Sequence, residues 1–345
     1  GYAKDFVSYV NPLMGTQSTV EFSTGNTYPA IALPWGMNFW TPQTGGMGSG
    51  WQYTYTATKI RGFKQTHQPS PWIKDYGQFS IMPVVGKPEF EEDKRSSWFS
   101  HKGEIAKPHY YKVYLAEHDV ITEIVPTERA AMFRFTFPES DASYVVVDAF
   151  NNGSSIHIIP SENKIVGYST DNNGGVPENF KNYFVIVFDK PFTYKSSFNG
   201  KELSEGVLSQ TADHVGAVIG FKTAKGEKVH ARIASSFISP EQAELNLKEL
   251  GNDNLETLAQ KGQQAWNEML GRIEVEGGSL DQYRMFYSCL YRSLLFPRKF
   301  YEIDAAGKVM HYSPTTGEVL PGYYYTDTGV WDTFRCLFPL LNLMY

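Results

Sequence analysis

Cysteine is almost absent from this sequence. Its 345 residues hold only Cys289 and Cys336, both in the last quarter and far apart. Two cysteines without a short spacing build neither a zinc site nor a disulfide framework. They are expected as buried free thiols, and they leave the redox compartment open. Long apolar runs are missing too. No stretch reaches the ~18 apolar residues of a membrane-crossing helix, so no membrane span is expected. Nor do Lys and Arg cluster: 31 basic against 37 acidic residues give a net charge of −6. That balance argues against a nucleic-acid surface and a polyanionic substrate. The eight histidines are scattered, which speaks against a histidine-rich metal site. The chain opens Gly1-Tyr2-Ala3-Lys4-Asp5, without a charged start and apolar stretch, so any signal peptide is expected to have been removed or never to have existed.

Aromatic residues, in contrast, are plentiful at 15%. Strands favour aromatics, so the abundance fits a β-rich fold. It also fits sugar recognition, because the C–H faces of a pyranose pack on aromatic planes. The apolar and charged shares, 41% and 20%, are those of an ordinary globular protein. At ~150 residues per domain, the length suggests two domains.

Residues 1–238 read as all-β. Phe133, Phe135 and Phe137 alternate with Arg134 and Thr136, the period of a half-buried strand. Tyr111, Val113 and Leu115 repeat the pattern, as do Val229, Ala231 and Ile233. The unbroken run from Tyr183 to Phe188 suits a strand covered on both faces. Many strands separated by Asn- and Gly-rich turns predict a large two-sheet sandwich.

The period then changes. Ser239-Pro240-Glu241-Gln242 predicts a capped helix start, Asp253 to Glu256 a second and Ser279 to Gln282 a third. Ile273-Glu274-Val275 reads as a short extended piece, Pro297 halts the third helix, and Trp331 to Tyr345 reads as another helix. All-β followed by all-α argues for separate domains. The division is a sandwich over 1–238, a helical linker over 239–276, and the beginning of a helical domain over 277–345. One or two helices cannot bury their own apolar faces, so this last domain is expected to be incomplete and finished by a further part.

Two segments are dense in unusual residues. The first holds Gly48-Ser49-Gly50-Trp51-Gln52-Tyr53, then Thr66-His67-Gln68-Pro69, Trp72 and Asp75-Tyr76-Gly77. Trp51 follows glycines and precedes Gln, so it is either a ligand platform on a loop or a hydrophobic plug beneath one. His67 could be a base or a metal ligand, but no second histidine stands at ligand spacing, which favours a hydrogen-bonded structural role. Asp75 and Asp148 read most simply as turn or cap residues. The second segment runs from Gly322 to Arg335 and places Asp327 and Asp332 around Trp331. Capping accounts for one carboxylate. Asp332 either meets a sugar hydroxyl or pairs with Arg335 three residues on.

These stretches resemble glycoside hydrolase family 92, the calcium-dependent exo-acting α-mannosidases. The similar segments are Val10 to Thr16, Gly25 to Pro29 with Pro34 to Met37, Ile60 to His67, Asp75 to Gly77, and Thr326 to Arg335. Where many members read Thr-His-Leu-Ser-Gly, this chain has Thr66-His67-Gln68-Pro69-Ser70, a departure that bears on linkage specificity. The resemblance implies a sandwich, a helical linker and an (α/α)6 barrel with the active site between domains. It implies inverting hydrolysis of terminal α-mannosides, of the α-1,2 type, from N-glycans or mannans by a secreted or periplasmic enzyme. It places Trp51 and Asp332 on the terminal-mannose subsite, with Trp72 and His67 as further candidates. Calcium is the implied cofactor; its ligands, and the catalytic acid and base, are expected outside this chain. Two alternatives remain: an inverting glycoside phosphorylase of similar architecture, and a non-catalytic carbohydrate-binding module.

Overall fold

The computed structural model describes residues 4–68, 74–326 and 328–345. Two antiparallel sheets enclose one apolar core. The first has seven strands, in the spatial order Phe39–Gln43, Gly62–Thr66, Phe79–Val85, Ser140–Asp148, Val215–Thr223, Tyr194–Asn199 and Glu202–Glu205. The second has nine: Ser209–Ala212, Ser154–Ile159, Lys164–Ser169, Asn182–Phe188, Glu227–Ser236, Ala130–Phe137, Val120–Pro126, Tyr110–Leu115 and Glu104–Lys107. Aromatic rings join the sheets, with Phe79 stacked on Phe184 at 4.3 Å and Trp40 edge-on to Phe133 at 5.2 Å.

Periodicity becomes burial as expected. Phe133, Phe135 and Phe137 are buried while Arg134 and Thr136 are partly exposed. The run through Asn182–Phe188 has no exposed position, because its sheet is covered twice. The outer cover is helical: Ala243 of Pro240–Asn246, with Leu255 and Leu258 of Leu255–Leu270, packs on Val125, Met132, Val185 and Ala234. The helix approaches the turn between Glu104–Lys107 and Tyr110–Leu115 closely at Gly262, where a Cβ would stand 2.9 Å from the Cβ of His109.

Several expectations are corrected. The first strand begins only at Phe39; before it lie the 3-10 turns Phe6–Tyr9 and Val20–Gly25. This N-terminal segment packs on the helices instead. Phe6, Val7, Tyr28 and Ala30 share a cluster with Trp266, Leu270, Tyr287 and Tyr291. Its carbonyls are also claimed: Trp266 Nε1 donates to Ala32 O at 2.8 Å, Tyr291 Oη to Ala30 O at 2.5 Å, and Arg292 to Tyr28 O at 2.6 Å and Pro12 O at 2.7 Å.

The helix starts also differ in detail. Ser279 and Gln282 form the expected capping box. The second helix is capped by Asn254, whose side chain accepts the Thr257 N–H at 2.8 Å, while Asp253 pairs with Lys261. Ile273-Glu274-Val275 forms no strand. A three-stranded sheet of Glu302–Ile303, Val309–Tyr312 and Val319–Pro321 lies where no strand is expected. The final helix is two pieces, Val330–Thr333 and Leu337–Met344. Cys289 and Cys336 are free thiols but exposed rather than buried. The last sandwich strand ends at Ser236 and the first outer helix starts at Pro240.

Candidate functional site

Trp51 lies on the loop joining Phe39–Gln43 to Lys59–Ile60, and that loop is fastened on both sides of it. Upstream, the Met47 N–H lies 2.9 Å from both Glu92 oxygens, and the Thr44 N–H donates to Gln52 O at 2.9 Å. Downstream, Tyr53 Oη donates to the buried Glu104 carboxylate at 3.1 Å. Glu104 also accepts from Tyr111 Oη at 2.5 Å and lies 2.8 Å from His101 Nδ1. His101 in turn stacks on Tyr55 with centroids 3.8 Å apart. Between these anchors Trp51 keeps 36% of its surface exposed, and its Nε1–H donates to Ser23 O at 2.8 Å. The side chain is a partly exposed aromatic on a fastened loop, and among the described residues it joins none of the buried apolar clusters.

His67 has no exposed surface. Its Nδ1 lies 2.6 Å from Tyr76 O, and its Nε2 lies 3.1 Å from both Asn38 Oδ1 and Gln65 Oε1. Burial lowers its pKa. The Asp75 carboxylate accepts the N–H groups of His67 at 2.9 Å and Tyr76 at 2.8 Å, so it does act as a turn residue. It is also the anion of a buried polar network. Lys64, wholly buried and pushed down to about 8 by desolvation, donates to Gln78, which donates to Asp171 at 2.5 Å. Asn182 bonds Gln65 and Gly77 O, both at 2.7 Å. Asp75 resists the upward push of burial; the His67 contact and the nearby Lys64 cation leave its pKa lowered. The network thus joins residues 64–67 to residues 75–78. Trp72 lies outside the described residues.

Arg298 carries the network to the second segment. Buried beside Asp75, it donates to Met37 O, and desolvation brings it down to about 10. Its N–H donates to Thr326 Oγ1 at 2.8 Å, and the Thr326 N–H returns a bond to Arg298 O at 2.9 Å. Asp327 lies outside the described residues. Beyond it, Gly329 caps Val330–Thr333, and the exposed Asp332 sits in that single turn with its N–H donating to Gly329 O at 2.9 Å. Among the described residues no ion pair joins Asp332 to Arg335; the guanidinium lies 5.1 Å from the Phe334 ring. The two segments therefore meet through Arg298 and Thr326, while Trp51 and Asp332 stand exposed on the sandwich side and the helical side.

Asp148, expected as a cap, accepts the Phe150 N–H at 3.0 Å but chiefly binds buried Arg95 at 2.6 Å and His214 at 2.7 Å. Those cations outweigh the desolvation that opposes them and hold it at about 2.

Comparison with known proteins decides the family. The glycosyl hydrolase family 92 N-terminal domain matches residues 9–236, and its catalytic domain matches 242–345. The chain belongs to glycosyl hydrolase family 92. A solved family 92 inverting mannosidase of Bacteroides thetaiotaomicron is 51% identical with a TM-score of 0.95, covering 99% of this chain and 46% of that one. A second family 92 α-mannosidase of that organism is 28% identical with a TM-score of 0.87, covering 98% and 47%. A secreted glycosidase of Arthroderma benhamiae is 24% identical over 338 residues, 87% of this chain and 42% of that protein. The chain thus spans about half the length of the relatives it matches.

Within this family 92 chain, some residues of the site region left no trace in the sequence. Glu302, on the first strand of the three-stranded sheet, is buried against the Pro240–Asn246 helix, accepting from Asn246 Nδ2 at 2.7 Å and the Phe237 N–H at 3.2 Å. Burial raises it to about 7. Arg298 and Glu104 are equally hidden; only their long-range partners reveal them. Among the described residues, no group of three or more His, Cys, Asp or Glu side chains could hold a metal ion. Among the described residues the chain thus offers no carboxylate cluster of the kind that holds a calcium ion.

Proposed function

We propose that the full-length protein hydrolyses terminal α-mannosides, of the α-1,2 type, from N-glycans or mannans, with inversion and a calcium requirement, outside the cytoplasm. The observation that carries this reading is the 51% identity to an inverting mannosidase across 99% of the chain. The secreted relative supports the location.

In this reading Trp51 and Asp332 are the walls that this chain gives to the terminal-mannose subsite. Trp51 offers a plane for the C–H face of the ring, and Asp332 accepts from its hydroxyls. Charge-assisted bonds of that kind are among the stronger ones available to a sugar. His67, with both ring nitrogens occupied inside the protein, supports the surface rather than touching the ligand. Inversion needs one carboxylic acid to protonate the leaving oxygen and one carboxylate to activate water, about 6.5–9.5 Å apart. Neither role is assigned to a residue of this chain.

The test follows mannose release from α-1,2-mannobiose by the full-length protein, with and without a chelator, reading the first-formed anomer by NMR. Release of β-mannose that stops with the chelator is expected. A folded protein that releases nothing, or forms α-mannose first, overturns the reading. A product that requires phosphate and appears as a sugar phosphate replaces it with a phosphorylase.

A further inference from the structure

We propose that Phe22 is a platform for the leaving-group sugar, the residue on the far side of the bond that is cut, and so helps decide which mannosides are accepted. The inference rests on the reading of Trp51 as a wall of the terminal-mannose subsite.

The backbone draws attention to the turn first. Ser23, Thr24, Gly25 and Asn26 have φ of 52°, 51°, 100° and 57°, four consecutive left-handed residues. For the β-branched Thr24 this is a true outlier. Such strain survives only where the surroundings impose it, and it gathers at ligand-binding sites. Here the surroundings are explicit. The N–H groups of Phe22 and Thr24 both donate to Thr19 O, at 3.1 and 2.9 Å, and Asn26 N–H donates to Ser23 O at 2.9 Å. A Cβ on Gly25 would stand 2.1 Å from Gly15 O, so only glycine lets the turn lie against that strand of chain. The result is a fastened turn that holds Phe22 70% exposed and, among the described residues, outside every buried apolar cluster.

Position supplies the function. The Trp51 indole N–H donates to Ser23 O at 2.8 Å, so the edge of the indole points at this turn and Phe22 is the next residue along. In this proposal a sugar chain that lies on the indole continues past its N–H edge, over the turn that carries Phe22. An enzyme that removes only terminal residues has further sugar on one side alone, the leaving side. An aromatic that adjoins the terminal subsite therefore meets the leaving group, and its plane can take a pyranose face as Trp51 does.

Two substrates separate the leaving-group role from everything else: the mannobiose that the full-length enzyme cleaves best, and α-mannosyl fluoride. In the fluoride, water forms the new C1–O bond as C1–F breaks and fluoride departs with the electron pair, so no leaving sugar exists. Phe22→Ala is expected to lower kcat/KM on mannobiose ~10-fold, mostly through KM. Turnover of the fluoride should hold, and Phe22→Trp should retain the mannobiose activity. Equal losses on both substrates, or no loss on either, would overturn the proposal. A wild-type enzyme that cleaves neither substrate would instead overturn the reading on which it rests.

Discussion

Trp51 reaches the surface from a loop tied down by Glu92, Gln52 and Glu104, and the sheet behind it is backed by a network of buried ions and amides. Asp332 projects from one helical turn whose own bonds are local, Gly329 to Asp332, Gly329 to Thr333 and Thr328 to Thr333. The sandwich side is thus prepared in advance, at the expense of burying Lys64, Asp75 and Arg298. On the helical side the turn of Asp332 hangs between two anchors, Thr326 before it and Tyr345 after it, whose hydroxyl donates to Met269 O at 2.9 Å. Under the proposed function, preorganisation of a sugar platform falls to the Trp51 side and a hydrogen-bonding carboxylate on a locally bonded turn to the Asp332 side.

The sharpest break in that contrast is at Asp75. Asp75→Ala takes from buried Arg298 the carboxylate that offsets its charge and leaves Lys64 with Asp171 as its chief remaining anion, and removing the counter-charge of a buried cation costs ~3–5 kcal/mol. Thermal unfolding should show a large drop, whereas Asp332→Asn should stay within ~0.5 kcal/mol of wild type, as exposed substitutions do. Equal effects of the two would erase the distinction.

Glu302 gives the next largest effect. Its folded pKa of about 7 lies above the ordinary 4.5, so the folded protein holds the extra proton between those values. Stability then falls as pH rises from ~4.5 to ~7, by about 3 kcal/mol if the group stays fully buried. Glu302→Gln should flatten that slope and exceed wild type in melting temperature at pH 8. A wild-type protein equally stable at pH 5 and pH 8 would refute it.

Function should divide the other way. Trp51→Ala and Asp332→Asn in the full-length enzyme should each cut kcat/KM by ~10–100-fold, the worth of one buried ring face or one charged hydrogen bond. Neither should unfold the protein; a collapse of Trp51→Ala would mark it as a plug beneath the loop. Smallest of all, Asn254→Ala should cost ~1 kcal/mol as a lost helix cap, with Asp253→Ala costing less. The reverse order would restore Asp253 as the cap.

Much of the architecture was legible because it is local. The alternation through Phe133–Phe137 and the Ser279–Gln282 box depend on neighbours in sequence, and they appear as read. Asn254 and Asp253 are both good caps, and only the chain path chose between them. The N-terminal segment carries strand-like residues, yet Tyr28 and Ala30 gave their carbonyls to a helix more than 260 residues away. Periodicity cannot see that. It is equally blind to Arg298 beside Asp75 and to Glu302 beneath a helix, since burial of a lone charged residue depends on what arrives from elsewhere. Trp51 was legible as a loop aromatic from its glycines, but Phe22 was not, because the short alternation Val20-Glu21-Phe22 reads as strand rather than as an exposed turn.

The N-terminal segment also sets a timetable. Ala32 and Ala30 leave the ribosome early, yet their partners Trp266 and Tyr291 follow 234 and 261 residues later. At ~5–20 residues per second this is a wait on the order of tens of seconds. Through that interval the segment lacks the helical part of its apolar shelter and the Trp266 and Tyr291 donors, so any protein that guards it during synthesis has a long window in which to act. Shortening the gene to the sandwich alone would make that waiting state permanent.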